Sequence, residues 1–315
     1  MLARRFTLSA LANFIDVLRL SADEADRSRP ILCQWHVIGN PQEPVQSSCG
    51  IPVPATHRPM DPRDYDYITV VGGLIEPTGR LPREVETFLI RAAAERVPLV
   101  GICTGAFILA RLGLMQGYKC CVSWFHHGDF IAEFDTLQPV ADQIFVVDRD
   151  RLTCSGGVSA AHLAAFLVDR HISRSVARKS LSIMIIDQAE AGERPQPGLP
   201  LELSSNDPVV KRALLWMQQT IDAPLSVARL AERLGIGRRK LERHFADSLG
   251  ITPAEAGRRV RLAQARALVE RGEKTVTEIA HATGFCDSSH LIRHFRELYG
   301  LPPEAWRQAQ DHGPE

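Results

Sequence analysis

At 315 residues, with 45% hydrophobic and 23% charged side chains, the chain is long enough for two ordinary domains and has a globular composition. No apolar run approaches the ~20 residues that a bilayer crossing needs, which excludes a membrane-spanning helix. Seven cysteines without CxxC or Cys/His ligand spacing exclude a disulfide framework and a metal module, and imply reduced thiols in a cytoplasm. Formal net charge is zero, but it divides unevenly: from Asn206 onward there are 17 Lys and Arg against 14 Asp and Glu, leaving 20 against 23 before it.

In chain order, the opening MLARRFTLSALANFIDVLRL is interrupted by Asn13, Asp16 and Arg19. This predicts an amphipathic helix rather than a signal peptide. Apolar, β-branched runs predict strands over Ile31–Ile38, Tyr67–Val71, Leu99–Ile102, Lys119–Ser123, Gln143–Val147 and Arg151–Ser155. Helical patterns fall at Pro82–Arg96, Gly105–Arg111, His126–Phe134 and Ser159–Arg170. The alternation predicts an α/β domain over 1–189, a mostly parallel sheet with helices on both faces. The Pro- and Gly-bearing AEAGERPQPGLPLELSSND then predicts a linker over 190–206. From 207 to 310 only helices are expected.

That last region contains a repeat. Leu230–Pro253 is echoed by Ile279–Pro303: Ala231 and Gly235 match Ala280 and Gly284, and Leu241, Arg243, His244, Phe245, Gly250 and Pro253 match Leu291, Arg293, His294, Phe295, Gly300 and Pro303. In each copy a short helix carries a small residue where its partner crosses. A glycine then supplies a left-handed turn, and a second helix turns two apolar residues inward at spacing four. The outer face carries Arg238, Arg239, Lys240, Glu242 and Arg243 in the first copy. In the second it carries Asp287, Ser288, Ser289, His290 and Arg293. Clustered cations bind phosphates, and arginine can read guanine in the major groove. A helix over Ala254–Arg271 would fix the spacing of the two units.

These residues, and TEIAHATGFCDSSHLIRHFRELYGLPPEAWR above all, resemble the DNA-binding domain of the AraC/XylS family. The resemblance implies recognition helices over Arg238–Asp247 and Ser288–Leu298, with base contacts from Arg239, Glu242, Arg243, Ser289, His290 and Arg293. Glu242 would either accept from a cytosine amino group or orient Arg239 or Arg243.

In the first domain, PLVGICTGAFILARLGLM places Cys103 between a strand and a helix, flanked by Gly101 and Gly105. This is the pattern of a nucleophile elbow, with backbone N–H groups nearby. Together with DYDYITVVGG and RLTCSGGVSAAHLAAFLV it resembles the class I glutamine amidotransferase-like superfamily near the PfpI proteases, whose sheet is flavodoxin-like. The order of parts resembles the GlxA-type regulators. PfpI enzymes carry a histidine after the cysteine, where Thr104 stands, and a glutamate near the end of the first strand, where Ala10 aligns. A thiol without a base is a poor acyl-transfer nucleophile; His126 or His127 could supply one.

Relatives also begin with an apolar strand ahead of the segment matching Phe6–Arg19, and only Met1–Arg5 precedes it here. Either the start lies upstream or the domain lacks that strand; the strand edges that would be exposed favour an upstream start. The resemblance thus implies a non-enzymatic sensor domain, without cofactor or metal, lined by Gly72, Gly73, Cys103, Thr104, Trp124, Phe125 and His126. Indole suits a cationic or quaternary amine, so the expected effector is an amino acid or related amine. Where relatives carry HWE this chain has Ser123, Trp124 and Phe125. Cys120, Cys121 and Cys154 are expected to be buried small hydrophobes. The expected whole is a cytoplasmic, homodimeric activator on double-stranded DNA. A PfpI-type amidase or protease fused to a DNA-binding module, and a redox sensor acting through Cys103, are the alternatives.

Overall fold

The computed structural model describes residues 1–23, 25, 27–75, 81–196, 203 and 205–311, in two compact units divided between Gln196 and Pro197. Residues 197–202 and 204 of the expected linker lie outside the described residues.

Helix α1 (Leu8–Ala22) forms where the amphipathic pattern predicts it, burying Leu11, Phe14, Val17 and Leu20 at helical spacing. A two-residue hairpin follows, β1 (Val45–Gln46) and β2 (Pro52–Val53), which the sequence did not announce. The sheet is built from β3 (Ile68–Val71), β4 (Leu99–Ile102), β7 (Phe145–Asp148) and β8 (Arg151–Cys154), in the order β3-β4-β8-β7. The first three in that order are parallel, and β7 pairs antiparallel to β8 through a tight turn at Arg149 and Asp150. Helices α2 (Arg83–Ala94), α3 (Gly105–Arg111), α4 (His127–Glu133), α5 (Ser159–His171) and α6 (Arg174–Ile183) complete the unit with the short parallel pair β5 (Cys120–Cys121) and β6 (Pro139–Val140).

Two cores follow from the pleat. Ile68, Val70 and Leu99 pack with Phe88, Phe107 and Phe130 on one face. Val71, Val100 and Ile102 pack with Phe14, Leu163 and Leu167 on the other. Neighbouring strand residues point to opposite faces, so these β-rich runs, buried on both sides, read as continuous apolar segments.

One expectation is corrected. Ile31–Ile38 forms no strand: within it only Ile38 makes a bridge, to His57, while Leu32 N–H bonds to Ala22 O and Val37 N–H to the Thr56 hydroxyl. Alternating apolar residues satisfy a strand's side-chain pattern, but here the backbone found turn and hydroxyl partners instead. Met1–Ala3 lie along β3 as a stub of ladder, with Leu2 bridged in parallel to Val71 and Ala3 N–H on Val71 O at 3.0 Å.

The second unit is helical: α7 (Pro208–Gln219), α8 (Val227–Arg233), α9 (Arg238–Leu249), α10 (Pro253–Arg271), α11 (Val276–Ala282), α12 (Ser288–Tyr299) and α13 (Pro303–Asp311). It has two cores. Leu214, Leu230, Ala231, Leu241 and Phe245 form one with Ala256 and Val260 of α10. Ile279, Ala280, Phe285, Leu291 and Phe295 form the other with Leu262, Ala265 and Val269 of the same helix. Among the described residues no helix is long and apolar enough to cross a membrane.

Candidate functional site

At the elbow, β4 ends on Ile102 and α3 begins at Gly105. Cys103 between them adopts φ of 57°, a left-handed conformation that costs a non-glycine residue about 1–3 kcal/mol and persists only where its surroundings impose it. They do so closely. Cys103 N–H bonds to Cys154 O at 3.1 Å. A Cβ built on Gly156 would stand 2.8 Å from Cys103 Cβ, so only glycine fits behind the thiol. The Thr7 hydroxyl is 3.5 Å from Cys103 Sγ.

That hydroxyl is the functional group that α1 presents to the thiol, from the helix's N-cap; Ala10, aligned to the carboxylate position, is buried in the core. His126 Nδ1 is engaged by Asp129 Oδ2 at 2.9 Å, and His127 is buried. None of the described hydrogen bonds or ring contacts joins either histidine to Cys103.

The other expected ligand residues separate into two groups. Thr104 is buried and donates its hydroxyl to Gly73 O at 3.0 Å. A Cβ on Gly72 would lie 2.3 Å from Thr104 and Gly105, and one on Gly73 would lie 1.9 Å from Arg5 O. These three residues close the chain around the elbow, and the adjoining cavity, about 20 Å³, has room for little beyond a water. Trp124, Phe125 and His126 form a 3-10 turn capped by Ser123. Trp124 is half-buried, while Phe125 is 68% exposed with its ring edge-on to both neighbours.

Sequence reasoning missed Gln196. Its amide Nε2 donates to Val122 O (2.8 Å) and Gln143 O (2.6 Å), and its Oε1 accepts from Trp124 N–H at 2.8 Å. Just before it, Ile144 N–H is shared between Gly192 O and Arg194 O, both at 3.0 Å. Residues expected to be linker therefore clasp the Trp124 turn. A glutamine in a Pro/Gly-rich stretch gave no signal of this, because its partners are 53 to 75 positions away.

Also unforeseen is a cavity of about 840 Å³ lined by Phe14, Leu18, Trp35, His36, Tyr67 and Val168, among others. The three expected hydrophobic cysteines are buried: desolvation pushes the Cys120 thiol up to about 12 and Cys154 to about 11, so both stay neutral.

In the second unit both turn glycines are left-handed, Gly235 at φ 69° and Gly284 at φ 65°, as the repeat required. On α9, Arg238, Arg239, Lys240 and Arg243 are all exposed. Glu242 pairs with Arg238 at 2.8 Å, rather than with Arg239 or Arg243. Among the described residues no hydrogen bond or ion pair engages the side chains of Arg239, Lys240 or Arg243, so their donors are unspent. On α12, Ser289 and Arg293 are exposed and Ser288 and His290 half-buried. Asp287 caps the helix by accepting from His290 N–H at 2.7 Å. The side chains of Arg238, Arg239, Lys240, Arg243, Ser289 and Arg293 thus lie on the solvent side of their helices.

Residues 25–169 match the DJ-1/PfpI family, and residues 230–309 match a helix-turn-helix domain. The chain is a DJ-1/PfpI domain joined to an AraC-type helix-turn-helix domain, the composition of the GlxA-type regulators. It is 29% identical over 318 residues to the HTH-type transcriptional regulator GbdR of Pseudomonas aeruginosa, covering 99% of this chain and 84% of that one. It is 27% identical over 310 residues to the HTH-type transcriptional regulator GlxA of Rhizobium meliloti, covering 98% and 94%. Among solved structures, an AraC family transcriptional regulator from Pseudomonas putida aligns over 58% of this chain and 96% of its own, at 24% identity and a TM-score of 0.48.

Proposed function

We propose that this protein is a sequence-specific transcription regulator, an activator acting in the cytoplasm as a homodimer on double-stranded DNA, and that a small nitrogenous metabolite bound by its first unit controls it. The observation that carries the DNA-binding reading is the pair of reading helices, one with three exposed cations free of intramolecular partners among the described residues. Fluorescence-anisotropy titrations of the full chain on duplex DNA at several salt concentrations test it. Arg239→Ala and Arg243→Ala should weaken binding, and each substitution that removes a cation from a phosphate should lower the salt slope by about one. Affinity and slope both identical to the unmodified protein would overturn the assignment of α9.

Control by an amine rests on Trp124 and its clasp. Gln196 holds the Trp124 turn and is the last residue of the first unit. A ligand that moves the turn therefore acts on the residue at which the first unit ends. Thermal-shift titration of the full chain with amino acids, polyamines and betaines should raise the melting temperature for at least one class. Trp124→Ala should abolish the shift and Cys103→Ser should not. The large cavity beside Trp35 has the volume for such a ligand, and a shift abolished only by Trp35→Ala would place the effector there.

Cys103 has the Thr7 hydroxyl for a neighbour, and among the described hydrogen bonds none joins a histidine to its thiol, which supports a non-catalytic role. Ammonia release from amides that depends on Cys103 would reverse that assignment.

A further inference from the structure

Helix α12 carries three side chains joined end to end. Glu297 Oε2 lies 2.7 Å from His294 Nδ1, and His294 Nε2 lies 3.0 Å from His290 Nε2. An ionised carboxylate only accepts, so His294 Nδ1 carries a proton. The Nε2–Nε2 contact needs one proton and one lone pair. When the two rings hold two protons between them, the second must sit on His290 Nε2, and His290 Nδ1 is then a bare acceptor.

A third proton changes this whichever ring takes the charge. If His290 takes it, Nδ1 becomes N–H. If His294 takes it, His294 donates through Nε2, and the His290 proton moves to Nδ1. Either way His290 Nδ1 becomes a donor. That nitrogen has no described hydrogen-bond partner and is not among the buried polar atoms left unsatisfied, so it is open to solvent.

We propose that Glu297 and His294 set the polarity of His290: at neutral pH it accepts from an exocyclic amino group of adenine or cytosine, and on acidification it becomes a donor suited to guanine N7 or O6. The proposal rests on α12 being a reading helix. His294 and Glu297 are positioning residues, acting through His290. Around His290 stand His294 and Arg293 on the same helix, Asp287 at its cap, Arg261 from α10 and the edge of the Phe285 ring. Arg261 is fixed there by its bond to Gly284 O at 2.7 Å and its stacking on Phe285. Burial, then His294 and Arg293, hold His290 below the ordinary histidine range, with Asp287 opposing them, so the acceptor form prevails at neutral pH.

The test is selection of duplexes from a randomised pool by the full-length protein at about pH 7.5 and in steps down to about pH 4.5, because His290 is held below the ordinary histidine range. The unmodified protein should select adenine or cytosine at one position at the higher pH. On acidification the affinity ratio should move toward guanine by about fivefold, the lower end of one base contact. Glu297→Lys, at an exposed position, replaces an acceptor by a pure donor. The proton chain then runs the other way, and guanine should be preferred already at neutral pH. His294→Phe frees His290 to take either neutral tautomer, so the neutral-pH preference for adenine or cytosine should weaken and the shift on acidification should shrink. His290→Ala should erase the preference at every pH. If it leaves the selected sequence unchanged, α12 does not read bases through His290, and the premise fails. If it erases the preference while Glu297→Lys selects as the unmodified protein does, or His294→Phe keeps the full pH shift, the polarity relay itself is overturned.

Discussion

The two helix-turn-helix copies share a fold and partner their polar side chains differently. His244 and His294 occupy the same place in the repeat, yet His244 reaches across to Asp207, the N-cap of α7, at 2.6 Å, while His294 turns along its own helix to His290. Gly237 opens α9 without a side-chain cap, whereas its counterpart Asp287 caps α12. Lys240 is a fixed cation where the second copy has the titratable His290. The first copy ties itself to the beginning of the domain and leaves its cations free for phosphates. The second spends its polar groups on one another and so fixes their direction. On the proposed function, the first arrangement would contribute most of the affinity that falls with salt, and the second would add discrimination between bases through groups of fixed direction.

The sharpest way to break this comparison is at the turn glycines. A Cβ on Gly284 would sit 2.5 Å from Ile221 O and 2.8 Å from Pro224 Cδ, whereas one on Gly235 meets nothing within 4 Å. Gly284→Ala should cost about 2–4 kcal/mol, combining the positive φ with overpacking, and Gly235→Ala about 1 kcal/mol. Equal losses by urea denaturation would show the two turns to be equivalent after all.

His244→Ala should cost about 1–3 kcal/mol by removing the hydrogen-bond partner of Asp207. Burial pushes the Asp207 carboxyl up, but the His244 bond and the Val209 and Val210 amides outweigh it and leave it below its ordinary value of 3.8. A lowered carboxylate stabilises the fold above the ordinary value, and that contribution disappears as pH falls through the lowered one. Melting curves of the unmodified protein should lose stability there, and His244→Ala should flatten the loss. Asp287→Ala, which deletes a cap, should cost about 1 kcal/mol in the same assay. The smallest effect should be a gain: Gly237→Asn supplies the missing cap and should add a few tenths of a kcal/mol.

What the sequence made legible is what repeats locally. Matched glycines, inward Leu/Phe pairs and prolines after the turns revealed both copies, because each reports a backbone or packing need within a few residues. The Cys103 elbow was legible for the same reason, from its flanking glycines. Partnerships across long sequence distance were not: Gln196 with Trp124, Thr7 with Cys103 and His244 with Asp207 depend on the folded path. Ile31–Ile38 misled because an apolar run specifies a buried face without specifying which backbone will pair with it. The antiparallel β7 was equally hidden, since strand direction is set by a turn at Arg149 and Asp150 rather than by the strand's own residues.

Helix α10 donates Ala256 and Val260 to one core and Leu262 and Val269 to the other. It is therefore a phase key as well as a connector. With 3.6 residues per turn, one residue inserted beside Arg261 would swing the second reading head by about 100° and carry it about 1.5 Å further along the axis. A seven-residue insertion would bring the heads back to within about 20° of their original facing, some 10 Å further apart. On the proposed function, the spacing of the operator would be written into the length of a single helix, and length there can change only in whole, coarse steps.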